Sequence, residues 1–287
     1  MKIFLTGANG QLGRELQKRL TGTDFMATDL PEMDITDVET VSAMIGDYKP
    51  DVVIHCAAYT QVDAAEEKMD LAWRINVIGA QNVAMACRSV NASMVYISTD
   101  YVFDGKLGRF YTEFDAVNPL GVYGKSKYAG EVLARQANER LYVLRTAWLY
   151  GEGPNFVRTM LKLGQERDEL QVVNDQYGCP TSTVDLAEAV LRIIGTGRYG
   201  TYHVVGSGVT TWHGFARKVF ELSGNTRVRV MPVTTEQFVR PALRPAYSPL
   251  DTRLLRLALG WSPRPWEEAL TEYLQCEGVL TKGGDKA

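Results

Sequence analysis

Five short, mostly apolar runs punctuate the first half of the chain: Lys2 to Thr6, Phe25 to Thr28, Asp51 to Cys56, Met94 to Ser98 and Leu141 to Arg145. Between them apolar residues recur at helical spacing, as in Leu12, Leu16 and Leu20, and again in Leu71, Ile75 and Ile78 within a long stretch from Glu66 to Val90. Strand and helix alternating in this way predict β-α-β units and a parallel sheet. Strands that are continuously apolar, without a polar face, predict that both faces of the sheet are covered. Past Arg145 the regularity weakens. Leu170 to Val173 predicts another strand, and Leu186, Ala187, Val190, Leu191 and Ile194 predict a helix that returns to the sheet. From Gly197 onward Pro241, Pro245, Pro249, Pro263 and Pro265 break the chain into short elements. The expected division is a sheet domain of residues 1–147 and 168–196, and a smaller, discontinuous C-terminal lobe of residues 148–167 and 197–287. Trp212, Trp261 and Trp266 are expected in the core of that lobe, and Gly283 to Ala287 as a frayed tail.

Composition narrows the function classes. With 45% hydrophobic and 23% charged residues in 287, the chain is far from the signature of disorder. A net charge of −3 without a run of Lys or Arg excludes the electrostatic footprint of a nucleic-acid or anionic-membrane binder, so a small-molecule partner is expected. No apolar stretch reaches the ~18 residues of a spanning helix, and Lys2 leads directly into the first strand without a cleavage pattern. Cys56, Cys87, Cys179 and Cys276 are scattered singly, which predicts free thiols, buried as small hydrophobes, in a reducing cytoplasm. His203 and His213 lack a partner at metal or triad spacing and are expected to be structural.

The first candidate chemistry sits where the first strand meets the first helix, in Gly7-Ala8-Asn9-Gly10-Gln11-Leu12-Gly13. Glycine suits a tight turn and a close approach of backbone to a pyrophosphate, whose charge the helix N-terminus favours. Asp29 ends the second strand 22 positions after Gly7, near the spacing at which an acid bonds the adenine ribose. Together they predict a Rossmann-type doubly wound α/β sheet binding a nicotinamide dinucleotide. Asp29 favours NADH, because a 2′-phosphate would meet a like charge, whereas Arg14 could pair with that phosphate and favour NADPH. Asp34 and Ile35, and Ala57, Ala58 and Thr60, follow the second and third strands at the sheet's carboxyl edge, where they can flank the adenine and the ribose. Each is equally readable as a plain connecting loop.

Tyr123 and Lys127 stand four apart at the start of a helical pattern and so share one face. An ammonium near a phenol favours the phenolate, so Lys127 is expected to lower the pKa of Tyr123. Thr99 ends the fourth strand 24 residues earlier and can donate to a substrate oxygen. A hydroxyl at a strand end, a Tyr-Lys pair and a glycine loop all fall at one crevice of such a sheet.

These segments resemble the extended short-chain dehydrogenases/reductases, and within them the dTDP-4-dehydrorhamnose reductases. The resemblance runs through Gly7 to Gly13, Cys56-Ala57-Ala58-Tyr59-Thr60, Ser98 to Gly105, Tyr123-Gly124-Lys125-Ser126-Lys127, Arg145 to Gly151, Asn155-Phe156 and Asp175 to Thr181. It implies a catalytic triad of Thr99, Tyr123 and Lys127, with Asp100 beside the substrate and Trp148 against the sugar. It also implies reduction of dTDP-4-dehydro-L-rhamnose to dTDP-L-rhamnose with NADPH or NADH, for surface polysaccharide. Asn155 and Arg244 are further candidates for holding the sugar nucleotide and its diphosphate; read alone, they are a cap or turn and a solvated side chain. Some relatives carry Mg²⁺ at a homodimer interface, to which Glu15 would correspond, without other ligands that match here. His55 stands where relatives often have Asn. An epimerase with tightly bound NAD and a non-catalytic regulatory subunit are the alternatives; the first shares this residue set, and retention of Thr99, Tyr123 and Lys127 argues against the second.

Overall fold

The computed structural model describes residues 1–280, so the expected tail at Gly283 to Ala287 lies outside the described residues. The first half follows the apolar pattern: β1 (Ile3–Thr6), α1 (Gln11–Leu20), β2 (Phe25–Thr28), α2 (Val38–Tyr48), β3 (Val52–His55), α3 (Val62–Glu67), α4 (Met69–Trp73), α5 (Ala80–Ser89), β4 (Ser93–Thr99), α6 (Val122–Ala137) and β5 (Leu141–Thr146). The long helical stretch from Glu66 is not continuous, because α3 ends at Glu67 and a π-helical turn, Arg74–Gly79, joins α4 to α5. That turn places the buried Asn76 amide against the backbone of Tyr59 and the Ser126 hydroxyl. The second half supplies β6 (Leu149–Tyr150), α7 (Phe156–Glu166), β7 (Glu169–Val173), β8 (Tyr177–Gly178), β9 (Thr181–Ser182), α8 (Thr183–Ile193), β10 (Gly200–His203), β11 (Thr210–Thr211), α9 (Trp212–Leu222), β12 (Arg229–Val233), α10 (Arg253–Leu259) and α11 (Trp266–Cys276).

The central sheet is wholly parallel, in the order β2-β1-β3-β4-β5-β10. Successive side chains alternate between its faces. Ile3 and Leu5 pack with Leu12, Leu16 and Leu20 of α1 and with Leu186 and Val190 of α8, whereas Phe4 packs with Val41 and Ile45 of α2 and Val83 of α5. The doubly wound expectation holds, and helix Leu186 to Ile194 does return to the sheet.

The sixth strand is not the one expected. Leu170 to Val173 forms β7, but β7 pairs in parallel with β12 outside the central sheet, from Glu169↔Arg229 to Val173↔Val233. Its alternation explains this: Leu170 and Val172 are buried while Glu169 and Gln171 are exposed, a pattern that suits one covered face and not two. The place in the sheet goes to β10, from within the region assigned to the lobe, which pairs with β5 from Gly200↔Tyr142 to His203↔Arg145. Leu255 of α10 also joins the sheet's core, as does the partly buried Trp261. Thus only Trp266 of the three tryptophans is wholly lobe core, with Phe215, Val219, Leu170 and Leu270.

All four cysteines are free; Cys87 and Cys179 are buried, Cys56 is half-buried, and Cys276 is exposed at the end of α11, contrary to the expectation of burial. His203 is buried with Nδ1 3.1 Å from the Tyr111 carbonyl, and His213 Nε2 lies 3.1 Å from the Val230 carbonyl, both structural positions.

Candidate active site

Connections from β1 run to β2 on one side of it and onward to β3 on the other, which is where a parallel sheet opens a crevice at its carboxyl edge. A cleft of about 640 Å³ lies there, lined by the strand-end residues Thr6, Cys56, Thr99 and Thr146 among others. The glycine turn forms one wall. Gly7 has φ +70°, and a Cβ on it would stand 2.5 Å from the Ala57 nitrogen, so β1 and β3 approach this closely only with glycine here. A Cβ on Gly13 would stand 2.2 Å from the Gly7 carbonyl oxygen. Helix α1 starts with Gly10 as N-cap, with no side-chain cap and no acidic residue in its first turn. Its N-terminal N–H groups are therefore left for an anion. Gln11 Oε1 is buried on this wall without a hydrogen-bond partner.

Gly7, Gly10, Gln11, Leu12, Gly13, Asp29, Asp34, Ile35, Ala57, Ala58 and Thr60 all line this one cleft. Asp29 accepts from the Asn9 and Leu30 N–H groups, both at 2.8 Å, which fixes its carboxylate at the end of β2. Arg14 donates through Nε to the Asn9 carbonyl at 2.8 Å and meets Glu152 at 3.3 Å, at the outer edge of the turn.

The deeper part of the cleft brings Thr99, Asp100, Tyr123 and Lys127 together. Thr99 closes β4, and its Oγ1 accepts from the Tyr101 N–H at 3.2 Å. Tyr123 and Lys127 occupy successive turns of α6, whose start is tied down by the Val122 N–H donating to Glu66 Oε1 at 2.9 Å. Lys127 is 3% exposed, with Nζ 4.2 Å from the centre of the Tyr96 ring. Below it Ser98 and Arg145 hold Glu131, Arg145 by two hydrogen bonds of 3.0 and 2.8 Å. His55 Nδ1 lies 2.8 Å from Thr6 Oγ1, and burial and then the Lys127 charge push its pKa down to about 3, so it is neutral.

Electrostatically the pair differs from the expectation. Burial pushes the Tyr123 phenol up to about 12, opposed by the Thr99 hydroxyl and reinforced by the Asp100 charge, and Lys127 does not lower it. Burial pulls Lys127 itself down to about 7, against the attraction of Glu131. Desolvation outweighs the ammonium at this depth of the cleft. Tyr123 is thus held in its protonated form at neutral pH.

At the outer end Trp148 stacks on Trp212, with ring centres 3.6 Å apart and planes within 9°. Trp148 has φ +46°, an uncommon conformation for a large side chain. Glycine at position 178 makes room for it, since a Cβ there would stand 2.5 Å from the indole. Both indoles line the cleft. Trp212 opens α9, distant in sequence from every motif of the crevice, and periodicity gave no sign of it beyond a lobe-packing role.

Three expected site residues are elsewhere. Asn155 is the N-cap of α7, accepting from the Arg158 N–H at 3.0 Å and donating to the Gly151 and Gly153 carbonyls, so its amide is consumed by the turn and it is not among the lining residues. Arg244 pairs with Asp63 at 2.9 Å and donates to the Ala242 carbonyl at 3.0 Å, beside Tyr101 and outside the lining. Glu15 is taken by Arg19 at 2.8 Å. Among the described residues of the single chain no group of three His, Cys, Asp or Glu could hold a metal ion. No helix of the described residues is long and apolar enough to cross a membrane.

The profile of the family described as the RmlD substrate binding domain matches residues 1–278. A spore coat polysaccharide biosynthesis protein of Bacillus subtilis is 45% identical over 277 residues, 96% of this chain and 97% of that protein. Among solved structures, a dTDP-4-dehydrorhamnose reductase from Clostridium acetobutylicum superposes with a TM-score of 0.95 at 51% identity, over 97% of this chain and 100% of that one. The dTDP-4-dehydrorhamnose reductase from Bacillus anthracis, solved in complex with NADP, does so with a TM-score of 0.93 at 45% identity, over 96% and 98%.

Proposed function

Because the chain belongs to the RmlD substrate binding domain family, we propose that it is an NADPH-dependent dTDP-4-dehydrorhamnose reductase. The observation that carries this reading is the convergence of Thr99, Tyr123 and Lys127 with the glycine turn on one cleft. The turn fits a dinucleotide, since Gly7 and Gly13 let it pack tightly against β3 and on itself, and α1 presents uncapped N–H groups to the cleft. Gly7, Gly10, Gln11, Leu12 and Gly13 would hold the diphosphate, Asp29, Asp34 and Ile35 the adenosine, and Ala57, Ala58, Thr60, Tyr123 and Lys127 the nicotinamide half. NADPH bound there supplies the hydride that the keto carbon needs.

The chain's own residues supply the proton and the charge stabilisation. Tyr123, protonated at neutral pH, gives its proton to the oxygen developing negative charge at C4. Thr99 donates a hydrogen bond to the same oxygen, so the two hydroxyls form the oxyanion site. Lys127 would hold the ribose and, when charged, would stabilise the phenolate that Tyr123 becomes on giving up its proton. Trp148 and Trp212 give the sugar a flat, rigid wall at the cleft mouth.

The test is oxidation of NADPH and of NADH, followed at the nicotinamide absorbance, with enzymatically generated dTDP-4-dehydro-L-rhamnose. Turnover with NADPH, at a rate above that with NADH, is expected. Folded protein that oxidises neither cofactor would refute the reading.

A further inference from the structure

The second lobe reaches the catalytic strand end through one hydroxyl. Ser248 lies in a segment pinned by backbone hydrogen bonds: the Tyr177 N–H donates to the Ala246 carbonyl at 2.8 Å, the Ser248 N–H to the Tyr177 carbonyl at 2.9 Å, and the Tyr111 N–H to the Pro249 carbonyl at 2.8 Å. Gly105, with φ +74°, lets the segment approach, because a Cβ there would stand 2.7 Å from the Ala246 nitrogen. From this fixed place Ser248 Oγ donates to Asp100 Oδ2 at 2.6 Å, while Asp100 Oδ1 accepts from Thr99 Oγ1 at 3.2 Å. Ser248 and Asp100 are each 1% exposed. Asp100 lines the cleft and Ser248 does not.

Resting on the reductase reading, we propose that Ser248 is a positioning residue for the reduction: it fixes the Asp100 carboxylate and, through it, the place of the Thr99 hydroxyl, whose proton rests on Asp100 Oδ1 until it turns to the substrate oxygen. A carboxylate free to turn could offer either oxygen, at varying angles, to Thr99. Tying Oδ2 to a hydroxyl on a pinned backbone leaves Oδ1 in one place, and the Tyr101 N–H fixes the Thr99 oxygen from the other side. A donor on Oδ2 also draws charge from the carboxylate, which loosens its hold on the Thr99 proton and leaves that proton available to the substrate oxygen.

The same geometry has a titration signature. Burial pushes Asp100 up to about 6, against the pull of the hydrogen bonds from Ser248 and Thr99. The other titratable groups facing it are Tyr101, Tyr123 and Cys179, and beyond Tyr101 stands Arg244 paired with Asp63. Removing the Ser248 donor therefore moves Asp100 further up.

The experiment compares Ser248→Ala with wild type by NADPH oxidation across pH, and by carbon-13 NMR of aspartate-labelled protein with Asp100 assigned against Asp100→Asn. Expected for the variant are kcat lower by about tenfold with KM for NADPH unchanged, and the acid limb of kcat/KM and the Asp100 carboxyl both moved up by about one pH unit. An unshifted Asp100 titration, or a wild-type pH profile, overturns the proposal. Should Ser248→Ala fail to fold, Ser248→Cys keeps the size with a weak donor, and the same upward shift supports the proposal while its absence overturns it. Because the NMR titration needs no substrate, a wild-type protein that does not turn over the sugar refutes the reductase reading separately.

Discussion

At the scale of single residues, the site depends on what burial does to ordinary side chains. Desolvation keeps the proton on Tyr123, and the same desolvation makes the Lys127 ammonium easier to deprotonate, against the attraction of Glu131. The sequence pattern Tyr123-Lys127 showed that the two share a helix face, but the sign of the pKa change depends on the protein packed around them, which spacing does not contain. With Tyr123 proposed as the proton donor and only one of several residues proposed to hold the cofactor, Tyr123→Phe is expected to lower kcat by about 10²–10⁴ while weakening NADPH binding by no more than a few-fold. Stopped-flow turnover together with NADPH fluorescence titration measures both; a variant that loses NADPH binding in proportion to its rate would count against the acid role.

At the scale of elements, the legible parts were those whose information is local. The apolar runs became β1 to β5: β1, β3, β4 and β5 are covered on both faces and so continuously apolar, while β2 at the sheet's edge leaves Met26 exposed, and the glycine turn was legible because backbone approach requires glycine. Gly200-Thr201-Tyr202-His203 carries no such run, and it is a sheet strand because β5 offers it a paired edge; β7 carries an apolar run that its alternating Glu169 and Gln171 disqualify from the sheet. Asn155 illustrates the same limit in a loop: the residue type suits both a ligand contact and a cap, and α7 uses it as the cap. Asn155→Ala should therefore cost about 1–2 kcal/mol of stability with little change in kcat or KM, read from denaturant melts alongside turnover. A stable variant with a raised KM for the sugar nucleotide would return Asn155 to the substrate.

At the scale of the whole molecule, the site draws its side chains from distant parts of the chain. The elements from β1 to α6 bring the glycine turn, Thr99, Tyr123 and Lys127, and the second half of the chain brings the stacked Trp148 and Trp212, and Ser248 against Asp100. Trp212 and Ser248 were the least legible in the sequence, since Trp212 lies 64 residues from Trp148 and Ser248 lies 148 from Asp100, and neither belongs to a local motif. The claim that ties these parts together is that hydride reaches the sugar and stays there, with the proton proposed to come from Tyr123 completing the alcohol. The most direct measurement uses NADPH deuterated at the transferable position, with dTDP-4-dehydro-L-rhamnose in ordinary water and proton NMR of the product. One deuterium at C4 of dTDP-rhamnose, with an equal amount of NADP⁺ formed, is the result predicted here. A product without deuterium at C4, or sugar interconverted with no net oxidation of the cofactor, would contradict it.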